Sequence, residues 1–281
     1  MQCDHPASRD PKSAAAPFRS PDPVQRFRIH RPNLPEALQG FTILHITDLH
    51  VRRMRDRFRW LLRVAPRVRP DLIALTGDLM EQPGDERNAI RYFDRLTAAW
   101  RPRIGAFGVF GNHDSGPLRA IARERDAVRW FDDAVHDLPG VPLRILASGW
   151  PEDWTAVALA EQESGPPPAD PTLRLALGHH PCALAAALLV RPDIALFGHT
   201  HGGQIRMPNH AAPLTSSALP SSHAAGVMQM GSTHVCITRG IGDGTVELRH
   251  NCPPQVALYE LRRGPLPLEP VGRLPRVVVR W

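Results

Sequence analysis

Five short polar clusters carry the chemistry this sequence offers: Asp48-Leu49-His50, Gly77-Asp78, Gly111-Asn112-His113, Gly178-His179 and Gly198-His199-Thr200-His201. Their donors are oxygens on Asp48, Asp78 and Asn112, and imidazoles on His50, His179, His199 and His201. Carboxylate, amide oxygen and imidazole without thiolate suit Mn, Fe or Zn acting as Lewis acids. Seven such ligands are too many for one catalytic ion with an open position. They match two divalent ions sharing a carboxylate, held about 3.5–4 Å apart. In Asp48-x-His50 and His199-x-His201 the i, i+2 spacing turns both side chains toward one site from extended or looping backbone. Glycines before Asp78, Asn112, His179 and His199 permit tight turns and close backbone approach. Singly the clusters say little, since Gly-Asp is a common turn dipeptide. Five of them in one order, each closing an apolar run, point to a metal site.

Those apolar runs are the elements that must position the ligands. Phe41 to Ile46, Asp71 to Leu75, Gly105 to Phe110, Leu173 to Leu177 and Asp193 to Phe197 read as short buried strands. Two more strands are expected near His234–Thr238 and Val256–Leu261. Helical spacing appears from about Met54, where Met54, Phe58, Leu61, Leu62 and Ala65 share a stripe. Further helices are expected over Asn88–Trp100, from Pro117 to about Phe131, and over the Ala-rich stretch Cys182–Val190. Asp132 to Pro171 is weakly patterned, and a long Gly/Pro/Ser loop follows the last cluster. His210 and His223 in that loop read as ordinary loop histidines. The alternation of strand and helix predicts an α/β layered domain, with the site at the carboxyl ends of its strands. Residues 1–35 read as a flexible Pro/Ser-rich leader, and residues 36–281 as one domain.

Composition excludes several classes. With 42% hydrophobic residues the 281-residue chain builds a sizeable core. No charge-free run approaches the ~18–20 residues that span a bilayer, and Met1 to Val24 lacks the apolar core of a signal peptide. Scattered Cys3, Cys182, Cys236 and Cys252 exclude a zinc ribbon. The net charge of +6 is local: Val51 to Pro70 holds eight arginines against Asp56 alone. A uniformly basic nucleic-acid binder is disfavoured by that distribution, and a local anionic contact is favoured.

Taken together, the five clusters resemble those of the calcineurin-like metallophosphoesterases, over about Phe41 to Leu261. The match is nearest to a bacterial phosphodiesterase branch marked by Gly198-His199-Thr200-His201-Gly202-Gly203-Gln204, with Thr238 to Gly242 and Arg249 to Pro254 also similar. The resemblance implies a β-sandwich flanked by helices, four layers in the order αββα. It implies one ion on Asp48, His50, Asp78 and His201 and a second on Asp78, Asn112, His179 and His199, with Asp78 bridging. His179 rather than His180 is assigned because the family pattern is His-x-Pro. Manganese is favoured among the three metals.

The resemblance implies hydrolysis of a phosphate ester of the phosphodiester type. A hydroxide bridging two cations attacks phosphorus in line. His113, beside Asn112, protonates the leaving group, and Asp114 is the candidate to orient His113. Arg52, Arg53, Arg239 and Arg249 are candidate substrate contacts, because guanidinium binds phosphate in bidentate fashion. Arg52, Arg59 and Arg63 lie opposite the apolar stripe with Trp60 beside them, the pattern of a segment touching anionic lipid. The expected partner is therefore a phosphate ester, small or lipid-linked, handled in the cytoplasm or at the inner membrane face. A UDP-diacylglucosamine pyrophosphatase-like activity, a nuclease and a non-catalytic metal scaffold are the alternatives. Low aromatic content (6%) argues against a long nucleic-acid track.

Overall fold

The computed structural model describes residues 24–207, 211–244 and 246–266. Its strands are β1 (Val24–Arg31), β2 (Thr42–Ile46), β3 (Leu72–Thr76), β4 (Gly105–Val109), β5 (Arg129–Phe131), β6 (Ala134–Asp137), β7 (Leu143–Ala147), β8 (Leu173–Leu177), β9 (Ile194–Phe197), β10 (Gly226–Met230), β11 (Thr233–Ile237) and β12 (Val256–Arg263). The helices are α1 (Asp56–Val64), α2 (Glu86–Ala99), α3 (Gly116–Arg123), α4 (Trp154–Ser164) and the single turn α5 (Leu184–Ala187).

Two six-stranded sheets form, in the orders β1-β12-β2-β3-β4-β5 and β10-β11-β9-β8-β7-β6. Strands β2 to β5 run parallel, as do β7, β8, β9 and β11. Period-2 alternation sends each strand's side chains to two different cores. Ile43, Leu72 and Ala74 face inward and meet Leu175, Leu177, Ile194 and Leu196 of the other sheet. Leu44, Ile46, Ile73 and Leu75 face outward onto Phe58 and Leu61 of α1, Ile90, Phe93 and Leu96 of α2, and Leu118 of α3. Ala176, Ala195 and Phe197 pack on Trp154 and Val157 of α4 and Leu184 and Ala187 of α5. Covered on both faces, these strands are apolar almost throughout, as buried parallel strands must be. The result is the expected αββα order.

Several local expectations need correction. Val24–Arg31, assigned to the flexible leader, is strand β1, paired in parallel with β12 along its whole length. Arginines alternating with apolar residues hid it, but Ile29 is fully buried. Residues 1–23 lie outside the described residues. The helix expected to reach Phe131 ends at Arg123, and Arg129–Phe131 adds an edge strand to β4. Weakly patterned Asp132–Pro171 contains β6, β7 and α4, and the long loop contains β10. Cys182–Val190 breaks into α5 between two 3₁₀ turns. Cys236 and Cys252 are buried and Cys182 is exposed, none of them bonded to another cysteine. No helix among the described residues is long and apolar enough to cross a membrane.

Candidate metal centre

Parallel strands present their carboxyl ends on one edge of each sheet, and here the two edges meet. Asp48 and His50 follow β2, Asp78 follows β3, and Asn112 and His113 follow β4; His179 follows β8, and His199 and His201 follow β9. The loops are zipped by backbone bonds: Asp48 N–H donates to Gly77 O at 3.0 Å, His50 N–H to Asp78 O at 3.0 Å, and Gly198 N–H to His179 O at 3.0 Å. Asp48, His50, Asp78, His199 and His201 all have positive φ, between 45° and 67°. Left-handed backbone costs a non-glycine residue about 1–3 kcal/mol, and it reverses each side chain's direction just past its strand. Two neighbouring positions tolerate only glycine. A Cβ on Gly111 would lie 2.2 Å from Asp78 Oδ1, and one on Gly198 would lie 2.1 Å from Thr47 Oγ1.

The side chains converge in groups that could each hold a cation: Asp48 with His50 and His201, His50 with Asp78 and His113, and Asp78 with His179 and His199. His179 Nδ1–H donates to Thr76 O at 2.6 Å, and His199 Nε2–H donates to Ser216 O at 3.0 Å. Those carbonyls fix the tautomers and leave lone pairs on His179 Nε2 and His199 Nδ1. The two nitrogens lie 3.3 Å apart and each is 2.9 Å from Asn112 Oδ1, while His179 Nε2 is 3.2 Å from Asp78 Oδ2. Four electron-pair donors thus crowd one point, which fits a cation. On the other side, Asp48 Oδ1 is 3.7 Å from His50 Nε2 and 3.5 Å from His201 Nε2. Asp78 Oδ2 is 3.3 Å from His50 Nε2, so it belongs to both groups.

Charge makes the same point. Burial opposes charge on His179, but Asp78 beside it outweighs that and pushes the imidazole up to about 10. His50 is likewise held up by Asp48, Asp78 and Glu81 against its burial. Burial alone would raise Asp48 and Asp78, yet the surrounding histidines hold both well below the usual carboxylate range. The cavity demands positive charge, whether proton or metal.

The remaining candidates divide. His113 lies at the site, its ring 4.8 Å from that of His50 and its backbone N–H donating to Asp78 Oδ1 at 2.9 Å. Its Nδ1 contacts the carbonyl of Glu81, not Asp114. Asp114, expected to orient His113, instead accepts backbone bonds from Asp78 (2.9 Å), Leu79 (2.7 Å) and Gly111 (2.9 Å) and braces the two turns. Burial and the charge of Asp78 push its carboxyl up to about 6. Arg239 is buried and the Arg249 side chain is 5% exposed, both under the loops rather than at the mouth. Arg249 donates to the carbonyls of Arg239 (2.7 Å) and His201 (3.2 Å). Arg52 and Arg53 do lie beside His50, in a hollow shared with Arg55, Arg57, Asp243 and Glu247. Trp60, beside these arginines, is half-buried against the core. His210 lies outside the described residues, and His223 belongs to a 3₁₀ turn away from the ligand groups.

Two acids escaped the sequence reading. Glu81 Oε2 is 2.6 Å from His50 Nδ1, an ion-pair contact that sets a carboxylate behind a ligand imidazole. Its one available signal is its position three residues after Asp78. Glu152 Oε1 accepts the N–H groups of His179 (2.8 Å) and His180, while Oε2 takes Trp154 Nε1–H at 2.9 Å. It comes from the stretch with no legible pattern, so nothing local announced it.

Comparison with known proteins supplies a family. A family model described as calcineurin-like phosphoesterase matches residues 41–203. Uncharacterized metallophosphoesterase YkuE of Bacillus subtilis (strain 168) is 25% identical over 240 residues, 82% of this chain and 82% of that one. Phosphodiesterase YaeI of Escherichia coli (strain K12) is 28% identical over 236 residues, 79% of this chain and 82% of its own. A solved structure, TT1561 of Thermus thermophilus, is 17% identical, with a TM-score of 0.48 over 72% of this chain and 91% of its own.

Proposed function

The chain belongs to the calcineurin-like phosphoesterase family and is a metal-dependent phosphoester hydrolase; from that premise we propose that it is a two-metal phosphodiesterase. One observation carries the reading: a single oxygen, Asp78 Oδ2, lies 3.2 Å from His179 Nε2 and 3.3 Å from His50 Nε2, nitrogens of two separate ligand groups. A carboxylate oxygen so placed suits a bridge between two ions. Asp48, His50, Asp78 and His201 would hold one, and Asp78, Asn112, His179 and His199 the other. The nitrogen and oxygen donors suit Mn, Fe or Zn, with Mn the proposed metal. When bound, such ions lower the pKa of water and take up charge from phosphoryl oxygens.

The chain's own residues do the rest. The Thr76 and Ser216 carbonyls keep the imidazole lone pairs aimed inward. His113 keeps Nδ1 on the Glu81 carbonyl, which orients the ring and leaves Nε2 outside that bond. Its Nε2–H is the proposed proton source for the departing alkoxide. Arg52 and Arg53 would meet anionic groups of the substrate at the mouth. The phosphodiester preference is supported by the name of the Escherichia coli relative, phosphodiesterase YaeI.

The test is metal content by mass spectrometry, paired with hydrolysis of bis-p-nitrophenyl phosphate in Mn. Two ions per chain and Mn-stimulated turnover are expected, and Asp78→Asn should lose both. One ion per chain with full activity would sink the two-metal reading. A panel including UDP-diacylglucosamine and cyclic nucleotides then ranks the natural esters.

A further inference from the structure

The hollow beside His50 is lined by four arginines, Arg52, Arg53, Arg55 and Arg57, and by two carboxylates, Asp243 and Glu247; Arg52 also lies 3.8 Å from Asp85 outside it. The two carboxylates are not equivalent. Asp243 is 4% exposed and is gripped by Arg57 Nη2 at 2.7 Å, Arg249 Nε at 3.2 Å and Arg55 Nη1 at 3.4 Å. It fastens the loop to α1 and to the ligand loops. Glu247 is 34% exposed, yet three guanidinium groups converge on it: Arg53 Nη2 at 3.1 Å, Arg52 Nη1 at 3.7 Å and the Nη2 of Arg55. The backbone carrying it is clamped by Gln204, which donates to the carbonyls of Val246 (2.8 Å) and Leu248 (3.3 Å). The Glu247 side chain lies outside that clamp, and rotating an exposed carboxylate into water costs little.

Resting on the phosphodiesterase reading, we infer that Arg52, Arg53 and Arg55 form a subsite for a second anionic phosphoryl group of the substrate, a place Glu247 fills until that group displaces it. Arg52 is shared with Asp85 and Arg55 with Asp243, yet the arginines of the hollow still outnumber these carboxylates. A phosphoryl group brings more charge and three acceptor oxygens to the same forks. The ester is then one that carries another phosphate near its scissile bond.

Two matched probes test this in Mn: the p-nitrophenyl ester of thymidine 5′-phosphate, with and without a 3′-phosphate. KM is expected to be about three- to fivefold lower for the 3′-phosphorylated ester. Glu247→Ala should widen that ratio and Arg53→Ala should narrow it. Arg59→Ala, whose charge pairs with Asp56 on the same helix, should leave the ratio alone. A ratio of one in both wild type and Glu247→Ala overturns the subsite, while turnover of both esters still supports the phosphodiesterase reading. If neither ester is cleaved, that reading falls instead. Calorimetric binding of thymidine 3′,5′-bisphosphate against thymidine 5′-phosphate then decides the subsite: the same ordering of variants supports it, and equal affinities overturn it.

Discussion

His113 is tied at Nδ1 to the Glu81 carbonyl much as His179 is to that of Thr76, but it belongs to neither proposed ligand set, which leaves its Nε2 for transient work. His113→Ala should therefore lower kcat by about 10²–10⁴-fold while metal content stays at the wild-type level. Equal loss of metal and activity, measured on the same preparation, would make it a ligand instead. The donors themselves were legible as residue types, because imidazole and carboxylate after a strand have few structural uses in such number. The residues that orient them were not. Thr76 and Ser216 act through backbone carbonyls, which every residue carries, and Glu152 acts from a segment distant in sequence.

At the scale of elements, strands with two buried faces were readable wherever the apolar run was unbroken, as in Leu72–Thr76 and Ile194–Phe197. Strands at sheet edges were not. β1 and β6 carry arginine, histidine and aspartate on their open sides, so tertiary pairing rather than pattern defines them. Helix ends were misplaced where aromatics pointed to continuation, as at Trp130 and Phe131, which complete a strand. β11 offers a quantitative check. Burial, with Arg31 and His30 adding to it, lowers His234 to about 4 from the ordinary 6.5. Because the folded pKa is depressed, the unfolded chain takes up the proton first. The stability contributed by neutral His234 is complete above pH 6.5 and drains away as pH falls toward 4. His234→Gln should flatten the pH dependence of the urea midpoint across that window. An unchanged slope relative to wild type would refute the linkage.

For the whole molecule, the centre is the joint where the two sheets meet. Buried Asp48 and Asp78 repel each other there unless positive charge lies between them, so cation binding and folding stability are coupled. Chelation at pH 7.5 should lower Tm by about 5–10 °C, and Asp78→Asn should abolish the difference between chelated and Mn-loaded protein. A Tm indifferent to chelation in the wild-type protein would refute the coupling. The order of the first sheet has a further outcome, one of timing during synthesis. β12 lies between β1 and β2, although it is the last described strand to leave the ribosome. Until it arrives, β1 has no partner and one edge of β2 stays open, waiting on the longest loop closure in the fold. Arg249 and the Arg239–Gly242 turn, which brace His201 and Asp48, emerge just ahead of it. Nascent chains should thus be vulnerable to aggregation and metal-incompetent through most of translation, and should mature in a single late step.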